Sequence, residues 1–188
     1  MMGSIAQELK GPAGDDELMS LVRQGDLAAL GELVVRHQHL AWRIAYRFVG
    51  DAAEAEDLAQ EAFLRILQGA SRYRPTAQFA TYLSRVLVRL CLDYRQKKRP
   101  SYTGAVPTLM DKSSRPLDHV AGEERDRDVQ SALAQLPPNQ RIAVVLRYYE
   151  GQSYIDIADA LGVSPKAVER LLSRARKALQ SRLSCWLP

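Results

Sequence analysis

Apolar residues recur at helical spacing along most of this chain, and no stretch sustains the period of two that a strand needs. Met1–Gly14, with Gly3, Gly11, Pro12 and Gly14, reads as a loose leader. Asp15–Gln24 reads as a short first helix. Asp26 can cap a longer second one, on which Leu30, Leu33, Val34, His37, Ala41, Ile44 and Phe48 share a face. Gly50 and Asp51 mark the next boundary. Leu58, Ala62, Phe63, Ile66 and Leu67 then give a third helix its buried side. Gly69–Gln78 reads as a loop with exposed arginine and tyrosine. After it Phe79, Tyr82, Leu83, Val86, Leu87, Leu90, Cys91 and Tyr94 line a fourth helix. From Pro100 to Gly122 the periodicity stops, and Pro100, Pro107 and Pro116 sit among Ser, Gly and Thr, the composition of a flexible linker. Helical pattern resumes over Glu123–Leu136, with Val129, Ala132, Leu133 and Leu136 inward, until Pro137-Pro138 stops it. Asn139 can cap the next helix, in which Ile142, Val145, Leu146 and Tyr149 pack and which Gly151 ends. The expected fold class is all-α, with two small helical domains, near 15–99 and 122–183, joined by a flexible linker over 100–121.

The last stretch carries the most local detail. Ser153 can cap a short helix, with Asp156 three residues on in the capping-box position. Ile155, Ala158 and Leu161 supply its apolar face, and Gly162 ends it. Ser164 caps the next helix and Pro165 takes its first turn, where a missing N–H costs nothing. Val168, Leu171, Leu172, Ala175 and Leu179 can pack this second helix on the first. Two helices joined by so short a turn predict a helix-turn-helix over Tyr154–Ser173. The outer face of the second helix is basic: Lys166, Arg170, Arg174, Arg176, Lys177 and Arg182 are opposed by Glu169 alone. A solvated charged face would account for the charge by itself. Charge, cap, glycine turn and Ser-Pro start together favour a helix that enters a DNA major groove.

Composition narrows the class. The 188 residues suit one large or two small domains, and 46% apolar content is enough for packed cores. Net charge is only +4, but acids and bases fall in separate blocks. No apolar run approaches the roughly 20 residues of a membrane-spanning helix. The N-terminus lacks an apolar signal core, which predicts an intracellular protein. Cys91 and Cys185 have no CxxC spacing, and Cys91 falls on an apolar helical face, as an inert core thiol would. His37 and His39 point to different sides of a helix and His119 falls in a loop, so no metal site and no cofactor are expected.

Two charge blocks need more than a structural explanation. Asp51–Leu64 holds five acids (Asp51, Glu54, Glu56, Asp57, Glu61) and no base. Acids in a first turn answer the helix dipole, but Glu61 lies beyond it, and an acidic patch for a basic partner surface is the sharper reading. Arg85–Arg99 holds six bases (Arg85, Arg89, Arg95, Lys97, Lys98, Arg99) and one acid, Asp93. With Arg72, Tyr73 and Arg74 upstream, this block fits a site for single-stranded or melting DNA, where aromatic stacking joins cationic backbone contacts.

At Glu56-Asp57-Leu58-Ala59-Gln60-Glu61-Ala62-Phe63-Leu64-Arg65 the chain resembles bacterial sigma factors, in particular the small extracytoplasmic-function (ECF) subgroup of the sigma-70 family. Phe79-Ala80-Thr81-Tyr82-Leu83 followed by Asp93-Tyr94-Arg95 resembles that family's promoter-melting segment. Leu136-Pro137-Pro138, Arg141 and Leu146–Tyr154 lead into the helix-turn-helix as in its C-terminal domain. The resemblance implies a subunit, not itself an enzyme, that binds core RNA polymerase in the cytoplasm and directs promoter-specific initiation. It implies core contacts, on the β′ clamp, from Asp51, Glu54, Glu56, Asp57, Gln60, Glu61, Phe63 and Leu64, with the β flap as a second contact point on core. It implies −10 DNA contacts from Arg72, Tyr73, Arg74, Arg85, Arg89, Arg95, Lys97 and Lys98. For −35 DNA it implies Ser164, Lys166, Ala167, Arg170, Arg174, Arg176 and Lys177, with Arg176 and Lys177 contacting phosphates rather than bases. An anti-sigma factor is an implied partner, and membrane insertion is not. The chain departs from the family pattern at Tyr82 (usually tryptophan), Arg89 (often asparagine), Ala167 (usually threonine) and Arg170-Leu171 (usually Ser-Arg).

Two other readings compete. An autonomous repressor would use the same helix-turn-helix but has no need of the acidic helix. An enzyme with a DNA-binding tail would need a phosphate loop, triad or metal cluster, none of which the sequence offers. The linker, fully extended, would reach about 70 Å at ~3.3 Å per residue. That is more than two DNA turns of roughly 34 Å each, enough for two DNA-binding domains to engage separate sites.

Overall fold

Helix caps written into the sequence set the architecture. A computed structural model describes residues 13–97 and 120–183, with side chains in the second stretch from Asp126 onward. The leader over 1–12, Lys98, Arg99, His119, Cys185 and most of the expected linker lie outside the described residues. Helix α1 (Asp15–Arg23) opens on three acids and buries Leu18, Met19 and Val22. Helix α2 (Leu27–Val49) begins where the Asp26 carboxylate accepts the N–H groups of Ala28 (2.8 Å) and Ala29 (3.2 Å). It ends at Gly50, whose φ of +85° is left-handed backbone that glycine adopts without strain. Helix α3 (Ala52–Gly69) starts with Asp51 accepting the Glu54 N–H at 2.9 Å. A short 3₁₀ turn (Ala70–Arg72) leads on to α4 (Phe79–Lys97).

In these four helices α2 lies central, against α1, α3 and α4. Leu33, Ile44, Phe48, Ile66, Phe79, Leu83 and Leu87 are fully buried between them. The cap at Asp26 is exposed and local, so Asp26→Ala should lower stability by about 1 kcal/mol. Urea unfolding would show this as a lower midpoint with an unchanged slope.

The C-terminal unit begins with α5 (Val120–Ala134). The linker was expected to run to 121, but the backbone is already helical at Val120. Gly122 is carried inside the helix, at the modest propensity cost of glycine there. Helix α6 (Pro138–Val144) starts on proline, with Pro137 as its cap residue and no side-chain cap, so Asn139 lies inside the helix rather than capping it. The chain then widens into a π turn (Val145–Tyr149). Val145 and Leu146 stay buried there, whereas Tyr148 and Tyr149 face outward. Helix α7 (Tyr154–Leu161) has both halves of its capping box: Ser153 Oγ accepts the Asp156 N–H at 3.1 Å, and the Ser153 N–H donates to the Asp156 carboxylate at 3.3 Å. Gly162, at φ +66°, ends it, and α8 (Pro165–Arg182) follows with Ser164 Oγ accepting the Ala167 N–H at 3.2 Å.

Every described element is helical, and the two units are packed against each other. Helix α4 lies along α7 and touches α6, while α2 touches α5 and the π turn. Among the described residues no helix is long and apolar enough to cross a membrane.

Candidate nucleic-acid and partner interfaces

The acidic helix presents two distinct faces. Ala55, Leu58, Ala59, Ala62, Phe63 and Ile66 are buried against α2 and α4. Glu56, Asp57, Gln60 and Leu64 point outward, close to one another at helical spacing. Leu64 is 53% exposed, an apolar contact point one turn on from Gln60 and Glu61. Glu61 is half-buried and holds Arg65 at 2.9 Å. Phe63, expected at the partner surface, is instead a core residue at 6% exposure, because its position on the helix falls on the α2 side. Asp51 is occupied as the helix cap.

The basic block of α4 is mostly open. Arg89, Arg95 and Lys97 are exposed, as are Arg72 and Arg74 in the preceding segment. Two expectations change here. Tyr73 is not an exposed stacking aromatic: its hydroxyl donates to Asp16 at 2.7 Å and its ring meets Tyr82 edge-on at 5.0 Å. Burial first, and then the bond to Asp16, push its pKa up. The 3₁₀ turn, anchored by buried Ala70, brings that ring back against α1 and α4. Arg85 is half-buried and ion-paired with Asp159 of α7. Tyr82, at the position where the family usually has tryptophan, packs against Tyr73 and Phe79.

The helix-turn-helix forms as expected, with one face misassigned. Ile157, Ala158 and Ala160 are the buried residues of α7, while Ile155 is 72% exposed. The local pattern offers two apolar stripes on an eight-residue helix, and packing between α4 and α8 selects the one through Ile157. On α8, Val168, Leu172 and Ala175 are buried. Lys166, Arg170, Arg174, Arg176 and Lys177 are all exposed, together with Ser164, and Ala167 is half-buried. The helix N-terminus lies at the same end as Lys166 and Arg170, and its positive dipole end suits a phosphate-rich ligand.

Sequence periodicity missed the residues between the two units. Arg141 of α6 is 2% exposed, and its Nε donates to the Arg47 carbonyl at 3.0 Å. Gln130 Nε2 donates to the Tyr46 carbonyl at 2.7 Å. These side chains bond carbonyls in the last turn of α2, where the helix runs out of its own N–H groups; the Tyr46 carbonyl also accepts the Gly50 N–H at 2.8 Å. Arg43 meets Glu150 at 2.8 Å, Arg47 lies 4.0 Å over the Tyr149 ring, and Gln152 Nε2 donates to Ser84 Oγ at 2.6 Å. Charge in an apolar run, Arg141 before Ile142-Ala143-Val144-Val145, was the one available signal.

An open groove of about 400 Å³ lies on the C-terminal unit, lined by Val129, Leu133, Val144, Tyr148, Leu179 and Leu183 among others. Cys91 is fully buried with its thiol pushed up to about 12 by burial, so it is unreactive at neutral pH. Among the described residues no group of three or more His, Cys, Asp or Glu could hold a metal ion. His37 shares a hydrogen bond with Asp15 at 2.7 Å.

Comparison with known proteins agrees with this layout. Sigma-70 region 2 matches residues 33–100, which include α3 and α4, and Sigma-70, region 4 matches residues 126–179, which include the helix-turn-helix. The ECF RNA polymerase sigma factor SigM of Mycobacterium tuberculosis is 34% identical over 166 residues, covering 88% of this chain and 82% of SigM. SigW of Bacillus subtilis, another ECF RNA polymerase sigma factor, is 28% identical over 173 residues, covering 86% of this chain and 92% of SigW. Among solved structures, CnrH in complex with the cytosolic domain of CnrY superposes with a TM-score of 0.67 at 28% identity, covering 91% of this chain and 97% of that one. With both regions matched in order, and a relative of this identity aligned over most of its length, the chain belongs to the ECF RNA polymerase sigma factors of the sigma-70 family.

Proposed function

We propose the following division of labour for this sigma factor. The N-terminal unit, residues 15–99, binds core polymerase through the outward face of α3 (Glu56, Asp57, Gln60, Glu61 and Leu64). It engages the −10 element through Arg72, Arg74, Arg85, Arg89, Arg95 and Lys97, with Lys98 beyond. The C-terminal unit, residues 122–183, reads the −35 element with Lys166, Ala167 and Arg170 near the start of α8. Arg174, Arg176 and Lys177 hold phosphates further along. Arginine to guanine edges is the base contact such a helix makes best. The open apolar groove beside Tyr148 is the surface offered to the β flap.

One observation carries this reading: a single fold exposes carboxylates and Leu64 on α3 and bases along α8. A repressor has use for the second surface only. Bond-making chemistry then resides in the polymerase, and the protein works in the cytoplasm, where polymerase is. A protein that masks these surfaces, an anti-sigma factor, is the expected regulator. CnrH bound to the cytosolic domain of CnrY supports a protein partner of that kind.

Run-off transcription tests the proposal. Core polymerase with this protein should give discrete transcripts from a subset of promoter fragments, and core alone should give none. Failure to bind core and to direct initiation would reject it.

A further inference from the structure

One residue on the outer side of α8 runs against its surroundings. Glu169 is exposed, and every other charged side chain from Lys166 to Lys177 is a cation. At helical spacing it neighbours Lys166 and Ser173, and Arg170 follows it directly. The ordinary roles of an exposed helical acid do not account for it. A helix dipole favours acids in the first turn, and Glu169 is the fifth residue of α8, counted from Pro165. Glu32 and Glu61 each hold an arginine four residues on, Arg36 and Arg65. Four residues beyond Glu169 stands Ser173, while Lys166 precedes it, the less favourable order for a helical ion pair. Among the described residues no hydrogen bond or ion pair holds the Glu169 carboxylate. On a helix that approaches phosphates, that charge adds repulsion where the neighbouring cations gain attraction.

Base edges offer such a carboxylate one good partner. An ionised carboxylate only accepts hydrogen bonds, so in the major groove it needs an N–H. Cytosine presents its N4 amino group there, the usual partner of Glu. Guanine, with N7 and O6, and thymine, with O4, present lone pairs that repel it, and adenine sets the N7 lone pair beside its amino group. The position suits this use. Base-edge contacts come from the N-terminal part of a recognition helix, and the Ser164 cap with Pro165 fixes where that part starts. Arg170, the next residue, has the opposite preference, for guanine. We propose that Glu169 is a specificity determinant for the −35 element, selecting cytosine at a position distinct from the one Arg170 reads and rejecting guanine and thymine there. The acid lowers affinity for DNA in general and thereby excludes wrong promoters, discrimination by a repulsive element. This inference rests on the assignment of α8 to the −35 element.

Holoenzyme reconstituted from core polymerase and the full chain tests it, on a promoter active in run-off transcription with its −35 element randomised. A barcode in the transcribed region of each template lets transcript sequencing rank the −35 variants. The unaltered protein should favour cytosine over guanine or thymine at one position by about tenfold. Glu169→Ala should flatten that position alone, and Arg170→Ala should flatten a different one. Glu169→Gln should shift the preference from cytosine to adenine, because an amide accepts from N6 and donates to N7. The Glu169 side chain is exposed, so these variants should stay folded, with circular dichroism as the control. A Glu169→Ala profile equal to the unaltered one at every position would make Glu169 a solvated charge and overturn the proposal, whatever the total output. A flat profile for the unaltered protein, moved by neither Glu169→Ala nor Arg170→Ala, would reject instead the −35 assignment on which it rests.

Discussion

Reversing charge at Asp57 and Glu61 together should weaken binding to core polymerase by roughly 100-fold while leaving the protein folded. The size follows from the environment. Asp57 is exposed beside Glu56, Gln60 and Leu64, so the change removes no buried contact. Glu61 holds only Arg65, one turn along the same helix, a surface pair worth ~0.3–0.5 kcal/mol. At a protein interface the balance differs, because close charge pairs there couple by about 1.5 kcal/mol or more each. Two such losses come to about 3 kcal/mol, or roughly 100-fold in affinity. Competition for core against a labelled reference sigma factor would measure it, with circular dichroism as the folding control. Unchanged affinity in a folded Asp57→Lys/Glu61→Lys variant would move the core contact away from α3. Asp51 is the wrong residue for this test, since its carboxylate caps α3 and its loss would confound binding with helix stability.

What the sequence revealed about this protein was local in origin. Asp26, Ser153 with Asp156, Gly162 and Ser164 all act where short-range rules put them, because a cap needs only the free backbone groups of its own helix. The exposed carboxylates of α3 and bases of α8 were legible for a similar reason: charge avoids the core. Asn139 failed as a cap for a local reason, since α6 already starts on Pro138. Phe63 is buried as its helical spacing predicts, so it is the partner contact implied by the family resemblance that fails there, while its neighbour Leu64 is exposed. The other misreadings arose where a distant element chose between local options. Ile155 lost its inward role to Ile157 once α4 and α8 enclosed α7. Tyr73 is buried by a bond to Asp16, far away along the chain. Arg141 and Gln130 find their partners on the C-terminal turn of α2, a relation no periodicity encodes. The sequence pattern suggested two domains free to separate, and the fold adds a defined way for them to meet.

The largest effect on DNA should come from the start of α8. Lys166 and Arg170 are exposed, one turn apart, on the face opposite buried Val168 and Leu172. Ser164 and Pro165 fix the helix start, so both side chains leave a well-defined point on the backbone. Arg170→Ala should cost about 1–3 kcal/mol at its base position and relax preference there. Lys166→Ala should instead weaken binding evenly across sequences and reduce the slope of log affinity against log salt by about one. Reversing both charges adds repulsion from phosphates to these losses, and −35-dependent transcription should fall at least ~100-fold. Because neither side chain is buried, thermal stability should hardly move. Promoter variants separate the two roles: altering a single −35 base pair should remove the penalty of Arg170→Ala but leave that of Lys166→Ala in place. If both penalties persist unchanged across all −35 variants, Arg170 holds backbone rather than base, and sequence reading must come from elsewhere on α8.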